Sequence, residues 1–373
     1  MGPEGSLRVG LRLAAGRIGP VSVRSTRPDI ARMMLLGRSA AGVQAAVPLL
    51  FSVCARSQAT ASRLACAAAA GSALSASDSA EAQAEIAAET VREFAWQALL
   101  NAARWLGEAP APGAVAAARA ATGYRWAAAA GGAPLAIALA AFGRPAGDWL
   151  QLDSWPALQA WAADGDTATA RHIHGLRRPG PPRAGCDACT PRLPRPAVDW
   201  LLPLAAAMAA DAGFAQQPTW RGAAAETGAF ARRQDDPLFD PAGAATGLRT
   251  LDRSALRFVA RLRELARLLD GQADPSGPVS LGALALDKGC GLAWVESPRG
   301  LLLHQVCLSE GRVCSYRIVA PTEWNFHPRG ALVAALEGAQ VDGEASALAL
   351  ATRVANSLDP CVPCRVEVEV DGA

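Results

Sequence analysis

The stretch DSAEAQAEIAAETVREFAWQALLNAARWL, Asp78 to Leu106, limits the fold more than any other part of this chain. Ile86, Phe94, Ala98 and Trp105 recur along it at helical spacing, which predicts a long core helix. Asp78 is placed to cap its start, with Glu81 as the reciprocal partner of a capping box. Helical patterning also covers Gln58–Ala70, Val198–Ala212 and Leu251–Asp270. In the last of these, Leu256, Val259, Leu262, Ala266 and Leu269 share one broad face, with arginines expected opposite. Strand patterning is confined to the ends. Leu7–Val23 reads as a β-hairpin, and Cys290–Val319 reads as strands with a turn at Glu310-Gly311. Two short Ala/Leu helices and a strand-like CRVEVEV finish the chain. The fold class expected is mainly α with small β elements.

The 373 residues can bury a sizeable core, as one large domain or two to three small ones. Hydrophobic content of 51% and charged content of 19% describe an Ala-rich globular protein rather than a disordered one. A net charge of +2, with Lys288 the only lysine, supplies no global attraction for nucleic acid or an anionic membrane. The most membrane-like run, Ala127–Gly143, is interrupted by Pro134 and too weakly apolar, so a buried helix is expected there. The first residues lack an apolar signal core, and a cytoplasmic location is the expectation. No internal repeat is visible. The run 175–196, rich in proline and arginine, is expected to be a long exposed loop.

Nine cysteines in a reducing compartment point away from disulfides and toward metal or redox chemistry. Cys66, Cys290, Cys307 and Cys314 are expected to be small buried apolar residues. Cys361-x-x-Cys364 follows Asp359-Pro360, and two thiolates three apart can face one soft metal ion; redox and structural roles use the same spacing. Cys186-x-x-Cys189 lies in the Pro-rich run, preceded by His172-x-His174. These four form a candidate zinc set, with HxH expected on a strand, although the spacing matches no standard finger and two unligated thiols in a loop are the alternative. Pro298-Arg299-Gly300 reads as a hairpin-like turn that fixes a fork of donors for an anionic group, or else as an exposed turn arginine. His304 and His327 read as core or surface histidines.

Together these segments resemble the large subunit of nickel–iron hydrogenases. PEGSLRV carries Glu4 and Gly5 of the opening motif, with Ser6 for its histidine. LLFSVCARSQ matches the first metal motif, with Phe51 for the first cysteine, Cys54 for the second and Gln58 for the histidine. AETGAFAR, ESPRGLLLHQ with the following APTEWNF, and DPCVPC match three further segments, and Glu367 replaces the terminal histidine. The shared order and spacing of these separate segments make the resemblance far more specific than any single motif. It implies one hydrogenase-large-subunit-like domain over residues 1–373.

It also implies that Cys54 and Cys364 occupy the positions that bridge nickel and iron, and Cys361 one terminal nickel position, the other being Phe51. Arg299 matches the active-site arginine and Asp359 the aspartate beside the cluster. With Phe51 unable to coordinate a metal, the nickel shell is incomplete. The absence of the terminal histidine removes the signal for proteolytic maturation.

A degenerate large-subunit-like chain of this pattern is similar to hydrogenase expression/formation proteins of the HupK/HoxV type. That resemblance implies a scaffold, not an enzyme. It would hold an iron centre, Fe(CN)2(CO), on Cys54, Cys361 and Cys364, with Arg299 and Asp359 around it, and pass it to the genuine large subunit. Its partners would be the maturation carrier proteins and that subunit. Two readings of other classes stand beside it: a catalytic hydrogenase subunit, which needs four thiolates, and a binding protein organised by zinc at His172, His174, Cys186 and Cys189.

Overall fold

The computed structural model describes residues 5–51, 53–72, 75–124, 132–176, 190–239, 253–271, 279–287 and 289–370. The chain packs as two compact units, each built from segments distant in sequence. The first comprises Met1–Ser75, Arg183–Ala231 and Leu281–Ala373, and the second Ala76–Pro182 and Arg232–Ser280.

The first unit contains both sheets. Strands β1 (Leu7–Ala14) and β2 (Arg17–Ser25) form the expected hairpin, closed by Ala15-Gly16 with both residues at positive φ, the turn geometry that matches strand twist. β7 (Cys364–Val370) joins β1 in parallel, with Leu7 opposite Cys364. Leu7, Val9 and Leu11 alternate inward and pack on Leu332, Leu336, Ala351, Val354 and Leu358 of the two short C-terminal helices. This parallel pairing carries the terminal cysteine pair back to the start of the chain.

The second sheet is the antiparallel meander of β3 (Leu281–Leu286), β4 (Cys290–Ser297), β5 (Gly300–Ser309) and β6 (Arg312–Val319). β5 is buried on both faces, so it reads as a continuous apolar run without alternation. Leu301 and Leu303 pack with Leu201, Leu204 and Met208 of the Val198–Ala210 helix. The opposite parity, including His304, faces the Ala55–Ala69 helix. That helix lies close against β4, because a Cβ at Gly291 would sit 2.5 Å from the Ala69 backbone nitrogen.

Two expectations about cysteines are overturned here. Cys290 and Cys307 stand directly opposite each other in the β4–β5 register, Cα atoms 4.0 Å apart, and form a disulfide. A cross-strand register is tertiary information that spacing along the chain does not carry. Cys314 is exposed, its strand neighbours covering only the other face of β6; Cys66 is buried as expected.

The second unit is helical. Ala76–Trp96 continues through a π-helical turn, Gln97–Asn101, into Ala102–Trp105. The helix begins before Asp78, which lies in the first turn rather than at the cap, where a carboxylate still favours the helix dipole. Ala133–Phe142 is half-buried rather than buried, with Leu135 and Leu139 outward; residues 127–131 of that expectation lie outside the described ones. The Arg253–Leu269 helix also differs from expectation: its arginine face is not solvated. Arg257, Arg261 and Arg263 are buried with the apolar face, and a buried guanidinium requires a partner. Arg263 pairs with Asp236 at 3.4 Å, Arg261 donates to Gln97 at 2.9 Å, and Glu264 accepts from Arg232 at 2.7 Å and Arg233 at 3.2 Å. Burial works against the Glu264 charge, yet the two guanidinium groups outweigh it and hold the carboxyl down at about 2.

Candidate functional site

The site is built from the β4–β5 turn. Pro298 and Arg299 are the two residues of that hairpin, between the Ser297–Gly300 pair. Gly300 takes φ +132°, and a Cβ there would lie 2.7 Å from the Thr227 hydroxyl oxygen, so only glycine fits. The Thr227 hydroxyl accepts from the Leu301 amide at 2.9 Å, and the Thr227 amide donates to Asn325 at 2.9 Å. Ser297 Oγ donates to the Gly300 carbonyl at 2.8 Å. Thus two segments noted only as matching text, around Thr227 and Asn325, clamp the turn that carries Arg299.

Arg299 bridges the two cysteine motifs. Its Nη1 donates to Cys54 Sγ at 3.3 Å, and its Nε lies 3.6 Å from Asp359 Oδ2. Asp359 sits in the left-handed region at the end of the Glu344–Leu358 helix, which turns the chain sharply into Pro360 and Cys361. Cys54 is the residue preceding the Ala55–Ala69 helix and is buried. Cys361 exchanges hydrogen bonds with Thr322, its sulfur 3.1 Å from Thr322 Oγ1 and its amide donating to the same oxygen at 3.2 Å.

Cys54 and Cys361 therefore line one cavity, together with Phe51, Gln58, Leu302 and Thr322. Cys364, the first residue of β7, packs against the core beneath the first sheet instead of lining this cavity, and burial pushes its thiol up to about 11. Among the described residues, no group of three or more His, Cys, Asp or Glu side chains is arranged to hold a metal ion. The donor set thus does not suit a bare ion that relies on protein ligands alone. Two sulfurs with a guanidinium at one of them suit a metal whose other positions are already filled by its own ligands.

Arg27 is a charged residue of the cavity wall that sequence reasoning missed. It follows β2, its Nη1 donates to Glu323 at 2.8 Å, and it lines the same cavity. Burial works against its charge, but the fields of Cys361, Glu323 and Cys54 and the bond to Glu323 outweigh it, and the net shift is upward. Burial raises the Glu323 carboxyl, with Arg27 opposing. The only sequence signal was Glu323 inside APTEWNF, a charge in an otherwise buried turn.

Gln58, one turn beyond Cys54, accepts from His304 Nε2 at 2.9 Å; the other ring nitrogen of His304 lies 2.9 Å from the Tyr316 hydroxyl. With Gln58 Oε1 as acceptor, Nε2 carries the proton, and in the neutral ring Nδ1 accepts the hydrogen bond of the Tyr316 hydroxyl. His304 is fully buried, and burial lowers its pKa to about 3. His327 is also buried, accepting the Arg329 amide at Nδ1.

The second candidate set is arranged differently from expectation. His172 and His174 lie on a helix, Ala168–Gly175, and not on a strand; residues two apart on a helix do not share a face. His172 packs against Trp105 and Phe258, ring centroids 4.9 and 5.0 Å away, while His174 is exposed. Cys186 and Cys189 lie outside the described residues. The end of the Pro-rich run is not an exposed loop: Leu193 is in the core, and residues 191 and 193 bond the Glu226 backbone at 2.8 and 2.9 Å. Among the described residues, no helix is long and apolar enough to cross a membrane.

The chain is similar to known proteins in both sequence and fold. The family model for nickel-dependent hydrogenases matches residues 271–367. The nickel–iron–selenium hydrogenase of D. vulgaris Hildenborough shares the fold, with a TM-score of 0.54 over 93% of this chain and 94% of its own, at 16% identity. The fold is that of the hydrogenase large subunit. The hydrogenase expression/formation protein HoxV of Cupriavidus necator is 39% identical over 48% of this chain and 46% of its own length. The hydrogenase expression/formation protein HupK of Rhizobium leguminosarum bv. viciae is 30% identical over 98% of this chain and 96% of its own. Likeness of that extent, over nearly the full length of both chains, means that the chain belongs to the HoxV/HupK family of hydrogenase expression/formation proteins.

Proposed function

We propose that this protein acts in hydrogenase maturation as a scaffold, not as an enzyme: it receives Fe(CN)2(CO) from a carrier protein, holds it on cysteine thiolates and passes it to the hydrogenase large subunit. The names of its relatives support the coarse role. The observation that carries the finer reading is the shared cavity of Cys54 and Cys361, with the Arg299 guanidinium donating to the Cys54 sulfur. Cyanide and carbon monoxide fill most positions of the cargo iron, so a few sulfurs suffice to retain it. Arg299 stabilises a thiolate and places a cationic donor group beside the cargo's cyanide, and Asp359 lies 3.6 Å from its Nε.

Cys364 packs against the core without lining the cavity, so it would join as a further thiolate only by turning its side chain toward the bound iron and losing the proton that burial favours. Phe51 on the cavity wall supplies no donor for a second metal, which argues against the catalytic alternative. Transfer between carrier and large subunit is placed in the cytoplasm.

The test is infrared spectroscopy of the anaerobically purified protein, co-produced with the maturation machinery. Cyanide and carbon monoxide stretching bands are expected, and they should be lost in Cys54→Ser and Cys361→Ser. Arg299→Ala should reduce iron retention by roughly ten- to a hundredfold, the scale of a charge-assisted hydrogen bond, without unfolding the protein. Absence of the bands from the unaltered protein would refute the proposal.

A further inference from the structure

We infer that Arg27, anchored by Glu323, is a charge filter that makes this cavity reject bare divalent cations and accept a metal only as an anionic complex. The argument begins with the placement of the pair. Arg27 lines the cavity, whereas its partner Glu323 is not among the lining residues. The ion pair thus contributes its cationic member, and not its anionic one, to the wall of the cavity that Cys54 and Cys361 line. Arg27 Nη1 is committed to Glu323 at 2.8 Å; its other guanidinium nitrogens have no hydrogen-bond partner among the described residues. Its side chain is only 17% exposed, so little water screens the charge.

Both sulfurs feel this charge. Cys361 and Cys54 each lie within Coulombic reach of Arg27, and Arg299 donates to Cys54 from another direction. A dication entering alone would meet the guanidinium at short range and find too few protein ligands to compensate. A complex bearing anionic ligands reverses the sign: the same nitrogens become hydrogen-bond donors to those ligands. Thr322 and Glu323 are consecutive, so the residue that bonds Cys361 and the residue that anchors Arg27 move as one unit. Discrimination between a ligated metal and a free ion is therefore built into one short turn.

The inference concerns the same cavity as the proposed function, but it is tested on the cargo-free protein with zinc ion alone as the probe. The double variant Arg27→Met/Glu323→Gln removes the charge without stranding a buried carboxylate. By calorimetric titration it should bind one zinc ion at least about tenfold more tightly than the unaltered protein, on the scale of repulsion between a unit charge and a dication in a partly hydrated site. The gain should vanish when Cys54→Ser is added, and Arg27→Lys, which keeps the charge, should show no gain. Glu323→Gln alone keeps Arg27 and removes its counter-ion, so it should weaken zinc binding. Equal affinity of the double variant and the unaltered protein, or a gain that survives Cys54→Ser, would overturn the inference. So would a gain in Arg27→Lys. Unchanged or tighter binding in Glu323→Gln would overturn it even if the double variant failed to fold. Because no iron complex enters this titration, its failure leaves the infrared result intact, and missing infrared bands leave the titration intact.

Discussion

His304 makes acid stability a direct readout of how Gln58 is held beside Cys54. The imidazole is enclosed between the Gln58 amide and the Tyr316 hydroxyl and is neutral in the folded protein, with its pKa lowered from 6.5 to about 3 by burial. The unfolded chain binds a proton below about pH 6.5, so it takes up more protons than the native state and stability falls as pH falls. At about pH 7.5 the group contributes almost nothing to this difference. At about pH 5 the unfolded state is favoured by a factor of about 30, or about 2 kcal/mol, by the linkage relation. Further acidification to about pH 3 continues the loss. The assay is urea denaturation of the unaltered protein and His304→Gln at about pH 7.5 and pH 5. The variant should start less stable but lose about 2 kcal/mol less between the two pH values, since every other titrating group is common to both. If both proteins lose the same amount, His304 is not the buried neutral group described, and the orientation assigned to Gln58 falls with it.

Gly300→Ala should destabilise the protein by about 1–3 kcal/mol and lower iron retention together, because the added methyl meets Thr227 at a left-handed backbone position and displaces the Arg299 turn; denaturation and metal analysis of the same sample check this. Glu264→Gln should cost about 1–3 kcal/mol by removing the buried carboxylate that accepts from both Arg232 and Arg233, read as a lower denaturation midpoint. Non-reducing peptide mapping of protein purified without reductant should recover Cys290 linked to Cys307, and Cys290→Ala should lower stability by about 2–4 kcal/mol, as expected for a loop of this length.

Much of the secondary structure was legible because its signal is local. The Leu7–Ala14 and Arg17–Ser25 hairpin, the Ala55–Ala69 helix and the Pro298-Arg299 turn each follow from periodicity or turn chemistry within a few residues. The buried arginines of Arg253–Leu269 were not legible, since a charged helix face looks the same whether water or Glu264 and Asp236 lie across from it. The Cys290–Cys307 bond escaped for the same reason: it depends on which residues two strands place opposite each other. Arg27 was missed because nothing near it in sequence hints at Glu323, nearly the whole chain away.

Taken alone, the sequence determined the inventory: a cysteine near one end, a cysteine pair near the other, and an arginine locked between proline and glycine. Tertiary structure decided which of these meet. Parallel pairing of β7 with β1 returns the chain's end to its beginning, and the clamped β4–β5 turn sets Arg299 between Cys54 and Asp359. It also decided which charge stands at the cavity, by setting Arg27 in its wall and Glu323 outside the lining. Residue identity and local spacing are properties of the chain, whereas the field at a point is a sum over everything folded around it.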